Sequence, residues 1–258
     1  MFHLFTDIFA CRDNALARMD PRAKLVMAFV TIILIILSTR MVLPLAVLIA
    51  CLGAMPALRV PARLVLARIT APAGVVLVLV ILQSLTVGSS PLLAVSVGPW
   101  QGTVKLEGVM HGLLMGSRVL GSVSVMLLLS SVTPAHKVFE ALRWLRVSKG
   151  WVEIAMLMYR YTFALLDHTA DVAAAQKLRL GYCGVKRSLS SMGVLAGAVL
   201  VQSLDQAART HQAMALRGYA GAMPYGPMPA MCKRDRWIMA LTLLSVSVAY
   251  LLLEWRRF

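Results

Sequence analysis

Apolar residues along this chain come in long, nearly unbroken runs, and polar residues collect in the short gaps between them. The first run covers Leu25 to Leu37 and stops at Ser38-Thr39-Arg40. A second extends from about Met41 to Leu58, with Pro44 near its start and Pro56 near its end. The gap "RVPARLVLAR" then gathers Arg59, Arg63 and Arg68 before a third run at about Ile69–Val87. Two more follow, at about Val109–Val132 and Trp237–Leu253. A hydrocarbon core about 30 Å thick asks a helix for about 20 apolar residues, so the pattern predicts about five transmembrane helices. Between the third and fourth runs, Gly88–Gly102 reads "GSSPLLAVSVGPWQG", rich in turn residues and without Lys or Arg. That is the expected composition of an external loop.

After Val132 the pattern changes period. In "TPAHKVFEALRWLRVSKG", Thr133 is placed to cap a helix and Pro134 to begin it. Val138, Leu142 and Leu145 share one stripe, which makes this a short amphipathic helix ending near Gly150. Trp151–Arg179 and about Ser188–Arg217 contain no proline; each opens apolar and turns polar. They predict two long amphipathic helices lying half-buried at the cytoplasmic face. The fold class is therefore an all-α polytopic membrane protein. It has a membrane region at 1–132, a cytoplasmic region of long amphipathic helices at 133–235 and a last transmembrane helix within 236–258.

Composition strengthens this picture. Of 258 residues, 59% are hydrophobic and 14% charged, with mean hydropathy +0.77. Soluble domains carry about a quarter charged residues, so most of this surface faces something other than water. Lys and Arg outnumber Asp and Glu by 26 to 11, giving a formal charge of +15. Basic residues flank the apolar runs and form no nucleic-acid-binding motif. The excess follows the positive-inside rule and suits an anionic lipid surface, with no nucleic acid implied. The start of the chain, with Arg12, Arg18, Arg22 and Lys24, lacks the pattern of a signal peptide and reads as a cytoplasmic lead-in. Five spans from that side carry Arg256 and Arg257 outside, against the usual bias. Cys11, Cys51, Cys183 and Cys232 are too dispersed for a zinc site or a disulfide framework.

Two helix ends repeat. "LRLGYCG" at Leu178–Gly184 and "LRGYAG" at Leu216–Gly221 each set an arginine in the last turn, followed by glycine and tyrosine. Helix capping accounts for one such end: a cation suits the negative pole of the dipole and glycine takes the left-handed turn. Two ends on the basic side of adjacent amphipathic helices ask for more. Lysine would serve the dipole equally, whereas arginine offers a planar fork to a partner's carboxylate.

With these motifs, the chain resembles the transmembrane T component of energy-coupling factor transporters, most closely the cobalt/nickel branch. The resemblance runs through "DPRAKL", "EGVMHGLLMGSRVLGSVSVMLLLSSVTPAHKVFEALRWL", "MYRY", "LRLGYCG" and "AMALRGYAG". It implies a multi-pass protein of the bacterial inner membrane that is not itself an enzyme and needs no cofactor. Its implied partners are two cytoplasmic ABC-type ATPase subunits and a membrane S component that binds the cobalt or nickel ion. The family's Ala-Arg-Gly motifs dock in grooves of the ATPases, which assigns that role to Arg179 with Gly181 and to Arg217 with Gly218. Arg160, Tyr182 and Tyr219 fall to support of the coupling helices. Methionines such as Met156, Met158 and Met192 suit an adaptable contact surface toward the S component. Both copies depart from the motif: Leu178 and Leu216 replace alanine, and Leu180 is inserted before Gly181.

Other chemistries find little footing. No GxxxxGK[ST] phosphate loop occurs, consistent with hydrolysis in partner subunits. An intramembrane metalloenzyme would draw on the five histidines, but no HExxH is present; His168 and Asp171 share a helix face, as many polar pairs do. Ser130 and Ser131 have no evident base nearby. A stand-alone metal channel could use the 16 methionines, yet they are spread along apolar runs where methionine packs. Arg118 is the one clear charge within a span, poor lining for a cation route and better suited to holding a turn or a carboxylate. Arg160, between two tyrosines, fits an interfacial aromatic belt as well as a bracing role. Gly108, Gly112 and Gly116 recur every four residues and form a helix-packing face.

Overall fold

The computed structural model describes residues 19–58, 62–86, 91–97, 100–221, 223 and 230–255. The lead-in with Arg12 and Arg18, Arg59, most of the break after Gly221, and Arg256–Arg257 lie outside the described residues. Those within Phe5–Val138 and Ala230–Phe258 form one unit, and those within Phe139–Pro229 a second.

In the first unit, α1 (Pro21–Leu37), α2 (Val42–Ala57), α3 (Ala62–Thr86), α4 (Leu106–Val132) and α8 (Lys233–Trp255) correspond to the five apolar runs. α3, α4 and α8 are long and apolar enough to cross a membrane. α1 and α2, with 17 and 16 residues, are shorter than these three, and a tight connection at 38–41 joins them. Between α3 and α4 the expected loop contains an antiparallel hairpin of β1 (Pro91–Val97) and β2 (Trp100–Lys105). Its sequence, "PLLAVSV" then "WQGTVK", is rich in the β-branched and aromatic residues that favour strands.

α4 sits at the middle of this bundle because its small residues let neighbours approach. An added Cβ at Gly112 would meet Val80 Cα of α3 at 2.9 Å, and one at Gly116 would meet Val76 Cγ1 at 2.5 Å. Further along, a Cβ at Gly121 would lie 3.0 Å from the Pro44 carbonyl of α2. Gly108 is buried as well. The core between these helices is built from Ala28, Ile35, Leu43, Cys51 and Val125.

The charge within α4 has a structural partner. Arg118 donates Nε and Nη2 to the carbonyl of Ser38, at 3.0 and 2.6 Å. Ser38 is the C-cap of α1 and is buried, so the guanidinium satisfies an orphan carbonyl of that helix end and holds the α1–α2 turn.

α1 and α8 start side by side. Asp20 caps α1 by accepting from Arg22 N–H, while its own N–H donates to Asp235 Oδ2 in the first turn of α8 at 3.0 Å. Thr242 then reaches Met27, and Tyr250 and Leu253 pack on the cluster that contains Ile35. The two helices therefore run parallel, and α8 ends at the face opposite to the start of α1.

In chain order α5 (Ala135–Trp144) follows α4 and straddles the division between units. It begins after Pro134, whose carbonyl accepts from Lys137 and Val138 N–H; Thr133 belongs instead to the end of α4. It also stops short of Gly150, in a turn where Arg146 takes a left-handed conformation at φ 63°.

The second unit is dominated by α6 (Lys149–Leu178) and α7 (Val185–Leu216), which pack on each other. α7 also meets the length and composition of a membrane span, though it is the most polar of the four helices that do. Its second half carries Asp205, Arg209 and His211.

Candidate functional site

The two long helices of the second unit end in the same turn. At the end of α6, Gly181 N–H bonds to Gln176 O at 2.9 Å and Leu180 N–H to Lys177 O at 3.1 Å. At the end of α7, Tyr219 N–H bonds to Met214 O at 3.1 Å and Gly218 N–H to Ala215 O at 3.0 Å. Each pair is the crossed set of a Schellman motif, which satisfies carbonyls that a helix end leaves open. Arg179 and Arg217 occupy the same C-cap station, at φ −84°, ψ 14° and φ −90°, ψ 11°.

The left-handed residue differs from expectation at the first end. Leu180, at φ 55°, takes that station, as Gly218 does at φ 76° in the second. Leu180 is thus no insertion in the turn: it is the counterpart of Gly218, and Gly181 is the counterpart of Tyr219. Gly181 is needed for space instead. A Cβ there would lie 2.7 Å from Ser191 Oγ and 2.9 Å from the Gln176 carbonyl.

Each end is tied down by neighbours that the motif alone does not reveal. At the first, Tyr182 OH donates to Gln176 Oε1 at 2.8 Å, and Gln176 Nε2 donates to Ser191 O at 3.1 Å. Ser191 Oγ donates to Gly181 O at 2.9 Å and closes the ring. At the second, Glu153 from the first turns of α6 accepts Tyr219 OH at 3.2 Å and Met223 N–H at 2.9 Å. Glu153 is only 4% exposed. A buried carboxylate needs such partners, so this one is committed to holding the segment after α7. Partial burial, and then the Glu153 charge and hydrogen bond, push the Tyr219 hydroxyl above its ordinary pKa.

The arginines themselves face solvent, and among the described residues neither Arg179 nor Arg217 has an ion-pair partner. Arg217 shares a cleft of about 540 Å³ with Arg160 and Arg209. Arg160 also lies 6.0 Å from the centre of the Tyr161 ring, within cation–π range. A second groove, of about 510 Å³, runs between α6 and α7 with Ile154, Leu157, Met158 and Met214 on its walls. Thr210 Oγ1 donates across it to Tyr161 Oη at 3.0 Å. Met192 is exposed elsewhere on α7.

The structure therefore brings Arg160 and Arg217 to one cleft and keeps the glycine stripe of α4 within the other unit. His168 and Asp171 both lie on α6, and no group of three metal-ligating side chains comes together among the described residues. The sequence reading overlooked Glu153, Gln176, Ser191 and Arg209. A lone acid in the apolar opening of α6 ("WVEIAM") was the available signal for Glu153.

The chain is similar to known proteins. The family model described as CbiQ, cobalt transport protein, matches residues 12–226. An uncharacterised protein of Methanocaldococcus jannaschii is 27% identical over 210 residues, covering 81% of this chain and 78% of that protein. The cobalt transport protein CbiQ of Rhodobacter capsulatus is 32% identical over 139 residues, 54% of this chain and 57% of its own. A fused cobalt transport protein, CbiMQ, of Methanocorpusculum labreanum is 28% identical over 110 residues, 43% of this chain and 18% of its own.

Proposed function

The chain belongs to the CbiQ cobalt transport protein family, and from that premise we propose that this multi-pass membrane protein is the coupling subunit of an ATP-driven importer of cobalt or nickel. Arg179 and Arg217 dock in grooves of two cytoplasmic ABC-type ATPase subunits, with Gly181 and Gly218 shaping the turns that present them. Closure of the ATPase pair on ATP moves α6 and α7. These helices pass the motion to a membrane S component that holds the ion. The chain itself hydrolyses nothing; it is a lever between an engine and a carrier.

The observation that carries this reading is the match between the two ends. Two arginines at the same station of the same turn, both exposed and without an ion-pair partner among the described residues, present one recognition element twice. Two like grooves on paired subunits are what such a duplicate fits. A physical link to a second membrane component finds support in the fused relative, most of which extends beyond the part matched by this chain. Tyr182 and Tyr219 act as braces of the two ends, and Arg160 as a brace of the cleft beside Arg217.

The test is co-purification of the full chain with its cognate ATPase and S subunits, for the wild type and for Arg179→Glu with Arg217→Glu. Loss of the ATPase from a chain still folded in membranes is the expected result. Retention of the whole assembly and of ATP-driven cobalt uptake would return both arginines to helix capping.

A further inference from the structure

The docking role proposed above leaves a second feature of the same helix ends unused. Leu178 and Leu216 directly precede the two arginines, and they are 87% and 90% exposed. One exposed leucine on a surface asks for no explanation. Two at the same station of matched turns are different, because the shared backbone geometry gives both leucines the same offset from their arginine. Each leucine is the last helical residue and each arginine the cap, so apolar and cationic groups leave the helix from adjacent stations. The surroundings are basic: Lys177, Lys186 and Arg187 flank the first end, and Arg209 lies near the second. Among the described residues no carboxylate pairs with either arginine.

We propose that each helix end is a two-pronged anchor, with the leucine seated in an apolar pocket and the arginine on a carboxylate at that pocket's rim, one such pocket on each of two like ATPase subunits. A small residue at this station would fill such a pocket only shallowly. Leucine in both copies calls for a deeper one, so Leu178 and Leu216 set which ATPase this chain accepts. The ends are not equal in apolar surface. Leu180 and Val185, 62% and 88% exposed, follow Leu178 within seven positions, whereas Gly218 and Tyr219 are the first residues after Arg217.

This rests on the docking reading, and the experiment separates the two. The full chain in lipid nanodiscs is titrated with its labelled cognate ATPase subunit. Variants are Leu178→Ser, Leu216→Ser, the serine pair, the pair Leu178→Met with Leu216→Met, and Arg179→Glu with Arg217→Glu as reference. Because both leucines are exposed, serine leaves the helices folded, which circular dichroism checks. Seating a leucine against apolar walls is worth ~10-fold or more in affinity, so each serine variant weakens binding by at least about that factor. Leu216→Ser costs the larger factor, and the methionine pair stays within about threefold of wild type. The serine effect persists at high salt, where the arginine contribution fades. If the glutamate variant loses the ATPase while the serine pair binds like wild type, docking stands and the leucine prongs are overturned. If the glutamate variant binds like wild type, the docking reading fails and this inference fails with it.

Discussion

At the end of α6 the left-handed station is filled by Leu180, whereas at the end of α7 it is filled by Gly218. The first costs about 1–2 kcal/mol in backbone strain; the second costs almost none. Their supports differ in reach as well. Gln176, Tyr182 and Ser191 hold the first end from within the same α6–α7 corner. Glu153 holds the second from the opposite end of α6. A local ring of hydrogen bonds can form as soon as the corner forms, and it offsets the strain at Leu180. The second end has an unstrained turn but depends on the long-range packing that brings α6 and α7 together. A displacement of the second end therefore loads the first turns of α6, while a displacement of the first end loads its own corner.

The comparison can be broken most severely at Glu153. Glu153→Ala removes the acceptor of two hydrogen bonds and should release the segment after Arg217 by about 1.5–3 kcal/mol. Hydrogen exchange at the Met223 amide should quicken accordingly, while Gly181 stays protected. Equal loosening of both ends would show that they are not held independently.

Gly181→Ala comes next. Its methyl would crowd a backbone carbonyl at 2.9 Å, so the first corner should lose about 1–3 kcal/mol, with the second unaffected. Exchange at Gly181 and Leu180 measures it.

A smaller, reciprocal effect tests whether the two turns are one turn. Leu180→Gly should stabilise the first end by about 1 kcal/mol, and Gly218→Leu should destabilise the second by about the same. If Leu180→Gly gives nothing, the strain assigned to that station is absent.

The finest probe is the titration of Tyr219. Its pKa is raised in the folded chain, so the neutral hydroxyl favours the fold at every pH below the ordinary tyrosine value. That contribution disappears as the pH climbs through the raised value. Glu153→Gln removes the charge but keeps an acceptor, and Tyr219 should then titrate lower in an ultraviolet absorbance series. An unchanged titration would mean that burial alone sets it.

Much of the membrane unit was legible in the runs of apolar residues. α3, α4 and α8 coincide with them because burial in lipid rewards each residue by its own composition, with little regard to neighbours. The hairpin was less legible, since turn residues and alternating strand residues are mixed in a short stretch. Arg118 was readable as a poor ion-path residue, but its partner Ser38 is far away in sequence and has no distinctive signature. The paired arginines stood out because they repeat. Glu153 does not repeat, and its role appears only where α6 meets the segment after α7.

The sequence by itself determined that the protein is a helical membrane protein and that two of its helices end on an arginine. Both follow from local energies: transfer of apolar side chains into lipid, and capping by the residues in the last turn. Only the tertiary structure decided which residue bears the strained station at the first end. A Schellman turn can be shifted by one residue wherever the packing repays it, and here the Gln176–Ser191 contacts require glycine one place later. It also decided that a buried glutamate near the start of α6 anchors the end of α7, because that bond depends on the geometry between two helices rather than on the residues of either one.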